Sequence, residues 1–188
     1  EDVGGLYPLD EQVEIACAEG YVLDGEDEVQ VDTEAGPLSV LGSGSFLPPS
    51  ETQQTMYSLP NTPITITFPA GAWPLGDTRT VTLTHVQPSA SMAAAAQSGG
   101  GKRLAGTVVL FGPSGIQFRR AVKICLPYDT STDYGAMSLI VHVFTGGAWV
   151  SKPMASGVSG PDAALGNVCA ETMSFSLYAS LAVPPVIT

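Results

Sequence analysis

The stretch Thr80-Val81-Thr82-Leu83-Thr84-His85-Val86 decides the fold class, because apolar and polar side chains alternate along it. A period of two directs successive side chains to opposite faces of a strand, which is the pattern of a half-buried β-strand. It predicts that Val81, Leu83 and His85 share one face. This stretch therefore indicates a β-strand.

Further strand patterns follow along the chain, each bounded by Gly or Pro turns. They occupy Ile64–Phe68, Val108–Phe111, Ile116–Leu126, Ser138–Phe144 and Phe175–Ala182. Ser91–Gly101, with four alanines before a glycine run, predicts a mobile loop with one helical turn. Strands spaced by such turns predict an all-β fold, namely an antiparallel β-sandwich with a small β-hairpin appendage at the N-terminus.

The composition agrees with this fold class. Of the 188 residues, 44% are hydrophobic and only 13% are charged, and the chain contains 21 Gly and 15 Pro. The apolar share is sufficient for a packed core, whereas the Gly and Pro content disfavours helices. No run of about 18 apolar residues is present, so we expect no membrane insertion by this segment. The abrupt start at Glu1-Asp2, without a signal-peptide pattern, is expected of a mature or excised fragment.

The net charge of −11 is distributed unevenly along the chain. Residues 1–51 contain 13 acidic side chains and no Lys or Arg, whereas residues 52–188 contain the other 5 acids and all 7 bases. An acidic segment therefore precedes a mildly basic body, and the two are expected to attract each other. Nucleic-acid binding is disfavoured, because phosphate contacts require a basic stripe that this balance does not provide.

The charge boundary coincides with a predicted domain boundary. Residues 1–50 are predicted to form the appendage and a linker, and residues 51–188 the sandwich. Three short alternating stretches in the appendage indicate strands: Val13–Cys17, Tyr21–Leu23 and Val29–Val31. Gly42-Ser43-Gly44-Ser45 is typical of a flexible linker, and Pro48-Pro49-Ser50 of a stiffer one.

Four motifs follow one another over about two thirds of the chain. They are Ile66-Thr67-Phe68-Pro69-Ala70-Gly71-Ala72, Phe111-Gly112-Pro113-Ser114-Gly115-Ile116-Gln117-Phe118, Lys123-Ile124-Cys125-Leu126-Pro127-Tyr128 and Phe175-Ser176-Leu177-Tyr178-Ala179. In this order, residues 60–182 resemble the ZU5-type β-sandwich. The resemblance implies a scaffold for protein–protein contact rather than a set chemistry. Members of the family occur in cytoplasmic adaptors such as ankyrins, and similar sandwiches recur in large surface proteins.

Some ZU5-like domains cut their own chain between Phe and Ser of a His-Phe-Ser motif, with the serine as nucleophile. The resemblance places that bond at Phe175-Ser176, but the base position holds Ser174, which cannot take up a proton near neutral pH. The alternative is an edge strand with Ser174 and Ser176 outward and Phe175 and Leu177 inward. No nucleophile elbow, P-loop or zinc-protease motif occurs, so no enzyme is predicted, and no catalytic residue is assigned.

The three cysteines have no metal-ligand spacing, and no metal or other cofactor is predicted. Cys125 lies on a core strand and Cys169 just before the last strand, so a Cys125–Cys169 disulfide is predicted. Such a bond implies an oxidising compartment. The alternative is a pair of buried cytosolic thiols. Cys17 lies in Val13–Leu23, which resembles the middle of a sushi module without its partner cysteines.

The candidate interaction residues are basic side chains and one tryptophan. The set comprises Lys102, Arg103, Arg119, Arg120, Lys123 and Trp73. A neighbouring strand is expected to bring the 102–103 pair close to the 119–120 pair, where they would meet an acidic partner, a second copy or the acidic segment. The alternative is ordinary solvated positions on outer sheet faces. Trp149 and Trp73 are expected to be core or hairpin anchors, and the Gly/Pro turn around Trp73 makes it the better candidate of the two for an exposed contact residue.

These patterns predict a non-enzymatic interaction or structural module of a larger extracellular surface, cell-wall or filament glycoprotein. Its expected partners are other protein chains or neighbouring domains of the same chain. One alternative is an intracellular ZU5-type adaptor that binds cytoskeletal or signalling partners. A second alternative is an autoproteolytic domain that cuts at Phe175-Ser176.

Overall fold

The computed structural model describes residues 28–30, 37–158 and 160–185. This part of the chain contains eleven strands and one helix. The strands are β1 Glu28–Gln30, β2 Pro37–Phe46, β3 Thr55–Ser58, β4 Thr65–Phe68, β5 Val81–Val86, β6 Arg103–Gly112, β7 Gln117–Pro127, β8 Ser138–Thr145, β9 Ala148–Ser151, β10 Asn167–Ser174 and β11 Leu177–Val183. The helix, α1, spans Ala90–Ser98 between β5 and β6.

The strands form two antiparallel sheets that pack face to face. The larger sheet has seven strands in the order β1-β2-β5-β6-β11-β8-β9, and the smaller has four in the order β10-β7-β4-β3. The described part of the chain passes from one sheet to the other six times: between β2 and β3, β4 and β5, β6 and β7, β7 and β8, β9 and β10, and β10 and β11. The prediction of an all-β antiparallel sandwich is confirmed.

The space between the sheets is filled by alternate residues of the strands and by a cluster of aromatic rings. On β5, Val81 and Leu83 are fully buried in this core, as their alternation with threonine predicts. Phe175 packs against Phe118 with ring centroids 4.8 Å apart, and Phe68 lies 5.7 Å from Phe118. Edge-to-face and stacked ring contacts of this kind stabilise a core beyond simple burial of area.

Helix α1 covers the outer face of the larger sheet. Ser89 caps its first turn by accepting a hydrogen bond from the Met92 backbone N–H. Met92 and Ala96 are fully buried against the sheet, and the Trp149 indole donates to the Met92 carbonyl at 2.9 Å. The prediction of a mobile loop with one helical turn is therefore wrong, since the alanines form a capped helix of nine residues. Their small side chains permit close packing on the sheet.

Strand β2 shows that the linker prediction for Gly42-Ser43-Gly44-Ser45 is wrong. Ser43 and Ser45 pair with Thr84 and Thr82 of β5, so this stretch is part of the larger sheet. A Cβ at Gly44 would lie 3.2 Å from the Leu59 and Phe46 side chains, so a glycine here permits close packing rather than flexibility. The predicted strands over residues 13–17 and 21–23, like Cys17, lie outside the described residues.

Candidate interaction surface

The two pairs of adjacent basic residues lie at opposite ends of the sandwich. Arg103 opens β6, and the end of β7 lies beside it, because the Asp129 N–H donates to the Ala105 carbonyl at 2.6 Å. Arg120 lies near the start of β7, and seven residues of strand from there to Pro127 span about 23 Å. The prediction that the two pairs come together is therefore wrong. The prediction is wrong because the turn between β6 and β7 leads the chain from the larger sheet into the smaller one, where it runs back. The start of β6 therefore lies at the end of the sandwich opposite the start of β7.

A bulge in β7 exposes Arg119 and Arg120 together. Opposite this strand, Thr172 faces Val122 whereas Ser174 faces Gln117, so β7 has extra residues between these pairs. A regular strand would direct one of two adjacent side chains into the core. The bulge allows both arginines to reach the surface.

Both arginines hold the neighbouring turn in place. The Arg119 guanidinium lies 3.5 Å from the Glu51 carboxylate, and both side chains are almost half exposed. Arg120 donates from Nη1 to the Ala70 carbonyl at 2.9 Å, and the Arg119 backbone N–H donates to the Ala72 carbonyl at 2.8 Å. An exposed ion pair of this kind contributes at most about 1 kcal/mol. Arg119 and Arg120 therefore affect the local shape of this end of the sandwich more than the stability of the whole domain.

At the other end, Arg103 lines an open cavity of about 350 Å³ together with Asp129, Thr132 and Tyr134. Its Nη2 lies 3.5 Å from the Met137 sulfur, which is a weak acceptor. Hydrogen bonds from the Ser131 and Thr132 hydroxyls and backbone lower the pKa of Asp129, which is the turn-capping role expected of this residue type. Burial raises the pKa of Tyr134.

The remaining lysine of the predicted set, Lys123, lies on the outer face of the smaller sheet. It is opposite Glu171 on β10 and Thr67 on β4. Two residues further along β7, Cys125 faces Cys169 directly, with Cα atoms 4.0 Å apart, and their sulfur atoms form a disulfide. The bond therefore ties the edge strand β10 to its neighbour β7.

Trp73 is a core residue, so its place among the candidate interaction residues is wrong and the alternative of a core anchor is correct. Its side chain is 2% exposed and packs beside Phe68 and Phe118. The indole N–H donates to the Asp77 carbonyl at 2.9 Å, which satisfies its single polar atom. Arg79 binds the Asp77 carboxylate at 2.6 Å and lowers the pKa of that carboxyl. The turn folds back over the open end of the core, a long-range arrangement that a Gly/Pro pattern does not reveal.

The Phe175-Ser176 bond lies at the corner between β10 and β11. Of the alternative interpretation, Ser174 does end the edge strand β10 and Phe175 and Leu177 are buried, but Ser176 lies beyond the strand. Phe175 is buried in the core, and the Ser176 carbonyl accepts a hydrogen bond from the Phe111 N–H at 3.0 Å. The two histidines have hydrogen-bond partners other than Ser176. His85 Nε2 contacts the Thr107 hydroxyl, and His142 Nδ1 lies 3.0 Å from the Ile140 carbonyl. Burial lowers the pKa of both imidazoles.

A buried hydroxyl network at the same corner was missed by the sequence reasoning. The Tyr178 hydroxyl lies 2.7 Å from the Thr172 hydroxyl and donates to the Ser174 carbonyl at 2.7 Å. The Tyr178 side chain is fully buried, and burial raises its pKa. The sequence signal that could have revealed the network is a tyrosine at an inward position of an apolar strand, because a buried hydroxyl requires a hydrogen-bond partner.

Two packed antiparallel sheets joined by loops at both ends form a β-sandwich scaffold. The family model of the ZU5 domain matches residues 51–143, from the loop before β3 into β8. Residues 51–143 are therefore similar to a ZU5 domain, and the recognition of a ZU5-like sandwich from its motifs is confirmed. The ZU5 family is one of protein-interaction domains. No curated protein matches the chain.

The matched range is shorter than the folded unit. It covers just under half of the chain, yet β2 before it and β9 to β11 after it are hydrogen-bonded into the same two sheets. Within the described ranges, no helix is long and apolar enough to cross a membrane.

Proposed function

We propose that this chain is a non-enzymatic interaction or structural module of a larger extracellular surface, cell-wall or filament glycoprotein. The observation that carries the proposal is the Cys125–Cys169 disulfide within a ZU5-like sandwich. Disulfides form and persist outside the cytosol, where glutathione and thioredoxin do not keep thiols reduced.

The position of the disulfide supports a structural role. It joins neighbouring strands at the outer face of the smaller sheet and closes a loop of 44 residues that contains β8 and β9. The Cys169 side chain is partly exposed, so cytosolic reductants would reach it. A chain that depended on this bond would therefore lose stability in the cytosol, which favours an oxidising compartment.

The surface supports a protein partner rather than a nucleic acid. The basic residues are divided between two ends and one sheet face, and Arg79 and Arg119 are paired with acidic side chains. No continuous basic stripe is formed by the described residues, and phosphate backbones require one. The expected partners are therefore other protein chains or neighbouring domains of the same chain.

The competing function is an intracellular ZU5-type adaptor for cytoskeletal or signalling partners. It is favoured by the lack of Asn-x-Ser/Thr sequons, since the only asparagines are Asn61 and Asn167. An autoproteolytic domain is the third candidate. The geometry disfavours it, because neither histidine forms a hydrogen bond with Ser176.

One experiment separates the three functions: the intact mass of the chain purified from its native source, alkylated with and without prior reduction. The proposal expects Cys125 and Cys169 to take up the reagent only after reduction, and added sugar mass would support it further. Alkylation of both without reduction would overturn the proposal in favour of the adaptor. Two fragments, one ending at Phe175 and the other beginning at Ser176, would instead identify an autoproteolytic domain.

A further inference from the structure

The outer edge of β3, Thr55–Ser58, has no strand partner in the part of the chain that the structure describes. β3 is the last strand of the smaller sheet, and its ladder runs only to β4. All four of its residues pair in continuous register, from Thr55 opposite Phe68 to Ser58 opposite Thr65, without a bulge. A regular edge of this kind presents unpaired backbone N–H and C=O groups that can hydrogen-bond another strand.

Two other edges of the sandwich are protected in ways that β3 is not. The outer edge of β10 is covered by the segment after β9, where Ala155 N–H donates to the Cys169 carbonyl and Glu171 N–H donates to the Pro153 carbonyl. On β9, the last strand of the larger sheet, the Trp149 carbonyl accepts a hydrogen bond from Lys102 Nζ at 3.3 Å. Covering segments and lysines are devices by which proteins prevent unwanted strand pairing.

The sequence around β3 lacks such charges altogether. Residues 52–76 contain no Asp, Glu, Lys, Arg or His, so β3 and its neighbour β4 are both uncharged. In the middle of β3, the Met56 side chain is 63% exposed on the outer face. Leu47, whose carbonyl accepts a hydrogen bond from the Tyr57 hydroxyl at 2.6 Å, is 78% exposed. The edge therefore combines free backbone groups with exposed apolar side chains.

β3 is also held rigidly in an extended form. The Tyr57 ring stacks on Phe46 with centroids 4.7 Å apart and meets the edge of Phe68 at 6.0 Å. The Tyr57 hydroxyl fixes the chain after β2 by the hydrogen bond to Leu47. A strand already ordered in its pairing geometry loses little conformational entropy when a second strand joins it.

We propose that the β3 edge binds an uncharged, extended peptide segment of a partner protein by strand addition. Backbone hydrogen bonds along Thr55–Ser58 provide the affinity, and an apolar residue of the partner beside Met56 provides specificity. A charged residue at that position would lose hydration beside an uncharged surface without gaining an ionic partner. The proposal rests on the proposed interaction function and names its partner class.

A second copy of this chain is a poorer occupant. Two four-residue edges bury far less than the roughly 1,200 Å² of total surface that a stable dimer needs. Each chain also carries a formal charge of −11, so two copies repel each other. A short neutral segment avoids that repulsion and is suited to a small, weak contact.

The test measures amide hydrogen exchange of the full chain with and without a synthetic probe. The probe is the blocked peptide acetyl-Thr-Val-Thr-Val-Thr-amide, and its charged counterpart is acetyl-Thr-Lys-Thr-Glu-Thr-amide, which puts charges in place of the two valines on the face that would meet Met56. We expect the uncharged peptide to slow exchange at Thr55–Ser58 and the charged peptide to bind about fivefold more weakly, as an unfavourable cross-strand pair of about 1 kcal/mol predicts. No slowing at millimolar peptide, or slowing confined to other strands, would overturn the proposal.

Matched variants locate the site. Met56→Lys places a charge on the exposed face of β3, and Met173→Lys places the same charge on β10 of the same sheet, where the methionine is 45% exposed. We expect Met56→Lys to weaken peptide binding about fivefold and Met173→Lys to leave it within twofold. Equal losses in both variants contradict a site at β3.

Two further observations on the free chain would also refute the proposal. β3 amides that already exchange as slowly as those of the central strand β7 would show that the edge is covered without a partner. A dimer that light scattering detects and Met56→Lys disperses would make a second copy the occupant. Neither result affects the thiol measurement that tests the extracellular assignment, so the two proposals fail separately.

Discussion

Removal of the Cys125–Cys169 disulfide is the perturbation with the largest expected effect. The bond closes a loop of 44 residues. Closing a loop of that length restricts the unfolded chain by an amount worth about 4 kcal/mol at 25 °C. The variant Cys125→Ala/Cys169→Ala should therefore lower the free energy of unfolding by about 3–4 kcal/mol. A domain of this size loses about 2–4 °C in Tm per kcal/mol, so Tm should fall by about 6–16 °C.

Urea unfolding followed by tryptophan fluorescence measures this loss, because Trp73 and Trp149 are both buried in the native state. Reducing agent is the control: it should lower the midpoint of the natural chain and leave that of the double variant unchanged. If the double variant stays within about 1 kcal/mol of the natural chain, the entropic reasoning is refuted. If reductant lowers both midpoints equally, an effect other than this bond is responsible.

Three further predictions concern the core and the histidines. Tyr178→Phe should cost about 0.5–1.5 kcal/mol, because it removes the hydrogen bonds of a buried hydroxyl while the Thr172 hydroxyl keeps its bond to the Ser174 carbonyl at 3.0 Å; urea midpoints measure the loss. Trp73→Ala should cost about 3–5 kcal/mol as a core truncation, whereas Arg120→Ala should cost less than about 1 kcal/mol. Burial lowers the pKa of His142 in the folded state, so the unfolded state binds its proton first. Stability should therefore fall as the pH drops below about 6.5, the ordinary histidine pKa, and the fall should be shallower in His142→Gln.

Each of these predictions has an outcome that contradicts it. A Tyr178→Phe variant as stable as the natural chain would mean that its hydroxyl contributes nothing at the corner. If Trp73→Ala lowers the free energy of unfolding no more than Arg120→Ala does, Trp73 is not a core residue and an exposed position is indicated instead. An equal pH slope in His142→Gln would assign the acid sensitivity to other groups, including the partly buried His85.

Several features could be predicted because they depend on local pattern. The alternation over Thr80–Val86 correctly placed Val81 and Leu83 on the core side of β5, since backbone geometry alone sends alternate side chains to opposite faces. The order of the motifs identified the ZU5-like domain, because they mark turns and strand ends that recur throughout that fold.

Other features depend on how distant segments pair, and local pattern misassigned them. The Gly/Ser stretch of β2 has linker composition, but β5 pairs with it and Leu59 packs over it. The alanine-rich segment has low complexity, yet the larger sheet offers an apolar face on which α1 orders. In both cases long-range contacts supply the free energy that short-range propensity lacks.

The sequence by itself therefore determined the fold class, the core-facing side of β5, the resemblance to ZU5 domains and the uneven distribution of charge. Only the tertiary structure decided which side chains are neighbours at the surface. It separated Arg103 from Arg120, buried Trp73 and left β3 at an edge. The physical reason is that the alternation of apolar and polar residues is a local property of a few consecutive residues. The exposure of a side chain depends instead on strand order and sheet crossings, which bring together residues far apart in sequence.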